Sequence, residues 1–243
     1  MNQPLITSID LWANHEARVI EVFTLALKLL QMSPPTADLE QENKINRRLY
    51  FYLLQANREL QTVNRGFDWP PIYEGSNQPD ADDETRAERE DKKPDFQWGL
   101  IDHYELDPNK SAKYYVLECK RLGSPPSHNW ILNKNYILNG VHRFTKPEWG
   151  YAKSSRSGAM IGYIQSMRMD EILWEVNDFA LQASIYTIAL SENNLRDNAI
   201  SRLDQRLDRP EVLPTPFDLR HLWVDLRQHY LGTTPKSKST RKK

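Results

Sequence analysis

The run Lys93-Pro94-Asp95-Phe96, followed by Gln97 to Leu106 and, after a polar turn, by Lys113 to Leu122 ending in Glu118-Cys119-Lys120-Arg121-Leu122, decides how this chain is read. Gln97 to Leu106 is rich in aromatic and aliphatic residues, and Asp107-Pro108-Asn109-Lys110 carries turn chemistry. Two such runs flanking a turn predict a β-hairpin with a longer loop. Side chains alternate along a strand, so Tyr114, Val116, Glu118 and Lys120 share one face and Tyr115, Leu117 and Cys119 the other. A carboxylate and an ammonium therefore stand side by side on a strand whose remaining pattern is that of a buried one.

That pairing suits metal-assisted phosphodiester cleavage. Asp95 and Glu118 offer hard oxygen ligands for one or two Mg²⁺ or Mn²⁺ ions. A metal there lowers the pKa of a bound water and neutralises charge on the phosphate, and Lys120 orients that water or stabilises the transition state. The plainer reading of Glu118 and Lys120 is a surface ion pair at a strand edge.

Pro94-Asp95 and Glu118-Cys119-Lys120 resemble the PD and E-x-K elements of the PD-(D/E)XK nuclease superfamily. The resemblance covers roughly residues 38–165. It implies an α/β restriction-endonuclease-like fold, a mixed central sheet flanked by helices, with the N-terminal helices preceding the sheet. It implies Asp95, Glu118 and Lys120 as the catalytic set and Mg²⁺ or Mn²⁺ as cofactor. An early-helix acid often completes such a site, and this chain offers Glu42, with Glu40 as the fallback. The implied partner is nucleic acid, DNA first, in restriction or anti-phage defence. No Gly-rich nucleotide-binding loop is present, so an ATP-driven step calls for a separate ATPase or helicase subunit. The rival function is a nuclease-fold subunit that binds nucleic acid or a partner without turnover.

Outward from the hairpin, 243 residues fit one domain over 1–232, with a basic tail at 233–243 expected to be disordered. Hydrophobic residues make up 39% and charged ones 27%, enough for a core under a solvated surface. A net charge of −1 excludes a global basic field, so nucleic-acid binding has to come from local clusters. The lone Cys119 excludes an internal disulfide and a cysteine-based zinc site. With neither a membrane-length apolar run nor a signal pattern, a cytoplasmic location is expected.

A first helix is expected from a cap at Ser8 or Asp10 to about Met32, stopped by Ser33-Pro34-Pro35. A second starts near Asp38, with Gln41 reaching back as in a capping box, and ends near Val63. Its inward stripe is Ile45, Leu49, Leu53, Ala56 and Leu60, which Glu42 extends by a turn. A short strand falls within 64–73, and residues 74–93 form an exposed acidic loop. Further along, a short helix spans Lys134 to Asn139 with Gly140 as its stop, and residues 148–151 make a strand. Ser154 to Gly158 leads into a helix from about Ala159, whose free amides, with Lys153 and Arg156, make a phosphate contact and whose Gln165 returns to the site. Residues 170–190 read as one or two helices, 192–209 as a charged helix-compatible stretch with a solvated arginine face, and 221–226 as the closing strand.

Overall fold

The computed structural model describes residues 7–35, 39–78, 90–189 and 195–230. Helix α1, Ser8–Met32, is capped by Thr7, not by Ser8 or Asp10: the Asp10 amide donates to the Thr7 hydroxyl, and the Asp10 carboxylate accepts from the Thr7 amide. Each satisfies an amide that the helix start leaves bare. Helix α2, Glu42–Gln61, begins later than expected, and Gln41 stands at the cap position without a side-chain capping bond. Asp38 and the 233–243 tail lie outside the described residues, as does 79–89 of the acidic loop. The stripe Ile45, Leu49, Leu53, Ala56 and Leu60 is buried as its spacing requires.

Six strands form a mixed sheet: β1 Ile72–Tyr73, β2 Phe96–Ile101, β3 Ala112–Leu122, β4 Ser157–Ile164, β5 Ile200–Leu207 and β6 Phe217–Asp225. Their order is β1-β2-β3-β4-β6-β5. The β2–β3 hairpin is antiparallel, while β3, β4 and β6 run parallel through the centre. The expected first strand ran to Leu106, but pairing ends at Ile101. Tyr115, Leu117, Cys119, Ala159, Ile161 and Tyr163 pack on α1 and α2. Val116, Met160, Leu219 and Trp223 face the other way, onto a bent helix α3 and onto α4, Met169–Gln182. Helix α3 comprises Leu132–Tyr136, a wide turn at Ile137–Val141 and His142–Thr145. No helix among the described residues is long and apolar enough to cross a membrane.

Four sequence expectations change here. Residues 157–164 are a strand, not a helix, and every one of them is buried. A short unbroken apolar run fits either form, and the parallel strands on both sides decide for the sheet. A Cβ on Gly158 would stand 2.9 Å from the Val116 carbonyl oxygen and 3.0 Å from the Phe144 ring, so the tight packing there depends on glycine. The stretch 192–209 contains β5, in which Ser201, Leu203, Gln205 and Leu207 point inward. Ile200, Leu203 and Leu207, spaced three and four apart, imitate a helix face. Residues 148–151 are turn, not strand, whereas the expected closing strand is there as β6, the last strand in the chain, paired between β4 and β5. Gly140 does not stop its helix, because the wide turn carries α3 through it.

The solvated arginine face also fails at Arg209, which is fully buried. Its guanidinium donates to the carbonyls of Pro214, Phe144, Tyr151, Ala152 and Ser155 and sits 3.6 Å from the centre of the Phe217 ring. All the N–H groups of an arginine are used this way, on backbone instead of acids.

A second buried polar chain is directional. The Trp223 indole donates to Tyr136 Oη at 2.9 Å, Tyr136 Oη pairs with His221 Nδ1 at 2.7 Å, and His221 Nε2 pairs with Gln205 Oε1 at 3.1 Å. Because Gln205 Oε1 only accepts, Nε2 carries the ring proton and Nδ1 accepts from the tyrosine. Burial pushes His221 down to about 3, and pushes His15, bonded to the Trp98 carbonyl, down to about 4. Both are neutral when folded, and in the unfolded chain they protonate near 6.5. Acid therefore favours unfolding: stability is complete above about pH 6.5 and is lost as pH falls from there toward 3. Each histidine should cost about 2 kcal/mol at pH 5. Urea midpoints at pH 7 and pH 5 test this, and His221→Gln should remove about half of the difference. A midpoint unchanged between the two pH values would refute it.

Candidate functional site

The strand β2 starts at Phe96, opposite Leu117, whereas β3 runs on to Leu122. Beyond that point the β3 backbone has lost its neighbour on this side, and side chains take over the ladder. The Cys119 amide donates to Asp95 Oδ2 at 2.7 Å, and the Arg121 amide to Glu42 Oε2 at 3.2 Å. Between them the Cys119 carbonyl accepts from Lys120 Nζ at 2.7 Å. Asp95 is where it is because the hairpin register ends one residue after it. Glu42 is there because it opens α2, and Asn46, one turn on, donates to Asp95 Oδ1 at 2.9 Å while accepting from Tyr163 Oη at 2.8 Å.

The Lys120 ammonium spends all three donors, on the Cys119 carbonyl, Glu42 Oε1 at 2.9 Å and Glu118 Oε1 at 2.7 Å. Burial opposes its charge, but Glu118, Glu42 and Asp95 outweigh that and hold it above its ordinary value. Asp95 is pushed well up by desolvation and by the charge of Glu118. Glu118 is fully buried, and its Oε1 also receives Arg143 Nη1 at 2.5 Å. Its Oε2 is buried with no hydrogen-bond partner. Lys120 has room because α3 passes it at a glycine: a Cβ on Gly140 would stand 3.3 Å from Lys120 Cγ and 2.5 Å from Met160 Cε.

The chain was compared with known proteins. No family model, curated protein or solved structure matches it. The chemistry of the site therefore rests on its own geometry.

Lys120 is thus brought into contact with Glu118 and Glu42, and Asp95 is bonded to the Cys119 amide between the two motif residues. Lys153 and Arg156 lie elsewhere. They precede β4 and line a cleft of about 580 Å³ with Ser8, Trp12, Asp102 and Lys113, near the start of the parallel strands. Met160 is the residue of β4 opposite Glu118, four residues on from Arg156, roughly 13 Å of strand. The helix whose amides were to bind phosphate there is β4, so that contact is absent. Gln165 lies just past β4 at the nearer end of the sheet, but its amide nitrogen is bonded to the Leu39 carbonyl and not to the carboxylates.

Whether these residues suit a metal turns on their free donors. Among the described residues, no three His, Cys, Asp or Glu side chains are grouped as a metal cage. What is present is Glu118 Oε2, buried without a partner, while Asp95, close enough to feel the charge of Glu118, accepts from Asn46 and the Cys119 amide, and the Cys119 carbonyl accepts from Lys120. Mg²⁺ characteristically takes one or two carboxylates and completes its shell with water and substrate phosphate, so this sparse set fits it. Lys120 sits on some of the same oxygens.

Sequence reasoning missed Arg143, Asn46 and Tyr163. Asn46 was readable, standing four residues after Glu42 on a helix and hence on the same face. Arg143, charged within the apolar run from Trp130 to Phe144, carried a weak signal. Tyr163 carried none.

Proposed function

We propose that this chain is a divalent-metal-dependent nuclease of the PD-(D/E)XK type, with a restriction-endonuclease-like fold, hydrolysing nucleic-acid phosphodiesters and most naturally those of DNA. One observation carries the reading: Asp95, Glu118, the Cys119 carbonyl and Lys120 converge at the open edge of β3, where Glu118 keeps a buried oxygen unpartnered. Asp95 and Glu118 would hold Mg²⁺ or Mn²⁺. The cation supplies an activated water and charge neutralisation at the phosphate. Lys120 presents a fixed ammonium to the charge that builds up on the phosphoryl oxygens. Glu42 acts on that ammonium and on the Arg121 amide, which makes it a positioning residue as much as a ligand. Restriction or anti-phage defence in the cytoplasm, beside an ATPase or helicase, is the setting that the resemblance implies and is an analogy of fold.

A non-catalytic subunit is the second reading, and one observation favours it. Glu118 Oε1 is already engaged by both Lys120 and Arg143, which is how a purely structural ion cluster would look. The deciding experiment titrates Mg²⁺ and Mn²⁺ against single- and double-stranded DNA and RNA, with wild type beside Glu118→Gln. The nuclease reading expects metal-dependent cleavage by wild type, and loss of both cleavage and Mn²⁺ affinity in the variant, with its fold checked by circular dichroism. Nucleic-acid binding without any cleavage would select the second reading.

A further inference from the structure

Arg143 does more than neutralise Glu118. Its guanidinium carbon lies 4.3 Å from the centre of the Trp149 ring, and Lys92 Nζ lies 4.9 Å from the same ring. Arg143 Nε is buried and has no hydrogen-bond partner. The two segments that carry these cations are tied together by one buried side chain. The Asn77 amide group donates to the Trp149 carbonyl at 2.9 Å, and the Asn77 backbone amide to the Lys92 carbonyl at 2.7 Å. Among the described residues Lys92 has no carboxylate partner, and it stands three residues before Asp95. The Trp149 ring thus carries two cations, one of which, Arg143, also bonds Glu118.

The charges support a ligand. Asp95, Glu118 and Glu42 surround Lys120 and Arg143, three formal negative charges against two positive, and Lys92 adds a third cation on the ring that Arg143 shares. A divalent cation added to this set leaves an excess of positive charge, which an anion must offset. Arginine's planar fork suits phosphate oxygens, and stacking on an aromatic ring fixes its plane. We propose that Arg143 and Lys92, seated on Trp149, form a phosphodiester-binding subsite next to the catalytic carboxylates. When the metal takes Glu118, Arg143 exchanges its contact with Glu118 Oε1 for a phosphate oxygen of the bound strand. This inference rests on the nuclease reading and adds to it the residues that grip the substrate backbone, in place of the distant Lys153 and Arg156.

The test uses a fluorescein-labelled DNA duplex and its single strand, with Ca²⁺ in place of Mn²⁺ to suppress cleavage. Binding is measured between 50 and 200 mM salt, the range over which phosphate contacts weaken visibly. Arg143→Ala should weaken binding several-fold and lower the slope of log affinity against log salt by about one, the signature of one lost phosphate contact. Lys92→Ala should do the same, and because Lys92 has no carboxylate partner among the described residues it keeps the test open if Arg143→Ala does not fold. Mn²⁺ affinity in these variants should be no weaker than in wild type, since a competing cation has been removed. Wild-type affinity and slope in both variants would overturn the subsite while leaving the nuclease reading intact. A change in Mn²⁺ affinity alone would reduce Arg143 to a counter-ion of Glu118. A wild type that neither cleaves nor binds nucleic acid would remove the nuclease reading, and the subsite with it.

Discussion

Lys120→Ala should lower the rate of metal-dependent cleavage by a factor of about 10² to 10³, the usual cost of removing one preorganised electrostatic group, or about 2.7–4 kcal/mol. The ammonium is already held by three oxygens, so it needs no reorganisation when charge develops on a phosphate nearby. Its carboxylate neighbours hold it above its ordinary value, so on the proposed nuclease reading it serves charge stabilisation better than general-base work. The split between steps is diagnostic. Mn²⁺ affinity should hold or improve in Lys120→Ala, because Glu118 and Glu42 lose a competing cation. Lys120→Arg should restore little, since a planar fork cannot make the same three compact contacts. Single-turnover cleavage and Mn²⁺ titration of the two variants beside wild type check this. Undiminished cleavage by Lys120→Ala would sink the assigned role.

The second large effect concerns stability. Arg209→Met keeps an unbranched apolar stem but removes every donor from the carbonyls of Phe144, Tyr151, Ala152, Ser155 and Pro214. A buried acceptor left unpaired costs about 1–3 kcal/mol. Water can reach some of these groups, and the cost of burying the cation is recovered. A net loss of about 3–5 kcal/mol is nevertheless expected, at the upper end for one substitution. Native stabilities are only about 5–15 kcal/mol, so the variant should be marginal at 25 °C. Arg209→Lys should restore only part, with three donors for five acceptors. Urea unfolding of the three proteins measures this, and a midpoint for Arg209→Met within error of wild type would show the carbonyl cage to be dispensable.

Much of the hairpin and of its charged cluster was readable, because both rest on short-range rules. Turn chemistry at Asp107–Lys110 and period-two alternation place Glu118 beside Lys120, and a prolyl-aspartate just ahead of a strand places Asp95 next to that strand. Glu42 was readable because helical spacing continues the stripe of Ile45 and Leu49 back to it. The rest fails where one local pattern admits two folds. From Gly158 to Ile164 no charged or strongly polar residue breaks the run, so periodicity cannot tell strand from helix, and Lys153, Arg156 and Gln165 were misplaced along with it. Arg209 illustrates a further limit: its surroundings come from residues 54 to 65 positions away as well as from its own loop, and nothing in its neighbours in sequence announces burial. Arg143 reaches Glu118 across 25 positions for the same reason.

The early end of β2 also bears on how the chain behaves in company. A strand that outlasts its partner is a template on which another molecule's backbone can dock and begin a growing aggregate. Here the amides of Cys119 and Arg121 are already taken by the Asp95 and Glu42 carboxylates, and the Cys119 carbonyl by Lys120. An incoming strand would find these two amides and the Cys119 carbonyl engaged and would have to strip charges from one another to reach them. The cluster read above as machinery for a phosphodiester is therefore also a guard against polymerisation. Neutralising it residue by residue, as an experimenter dissecting the chemistry would do, unlocks the edge at the same time, so each such variant calls for a check that it is still monodisperse before its rate is interpreted.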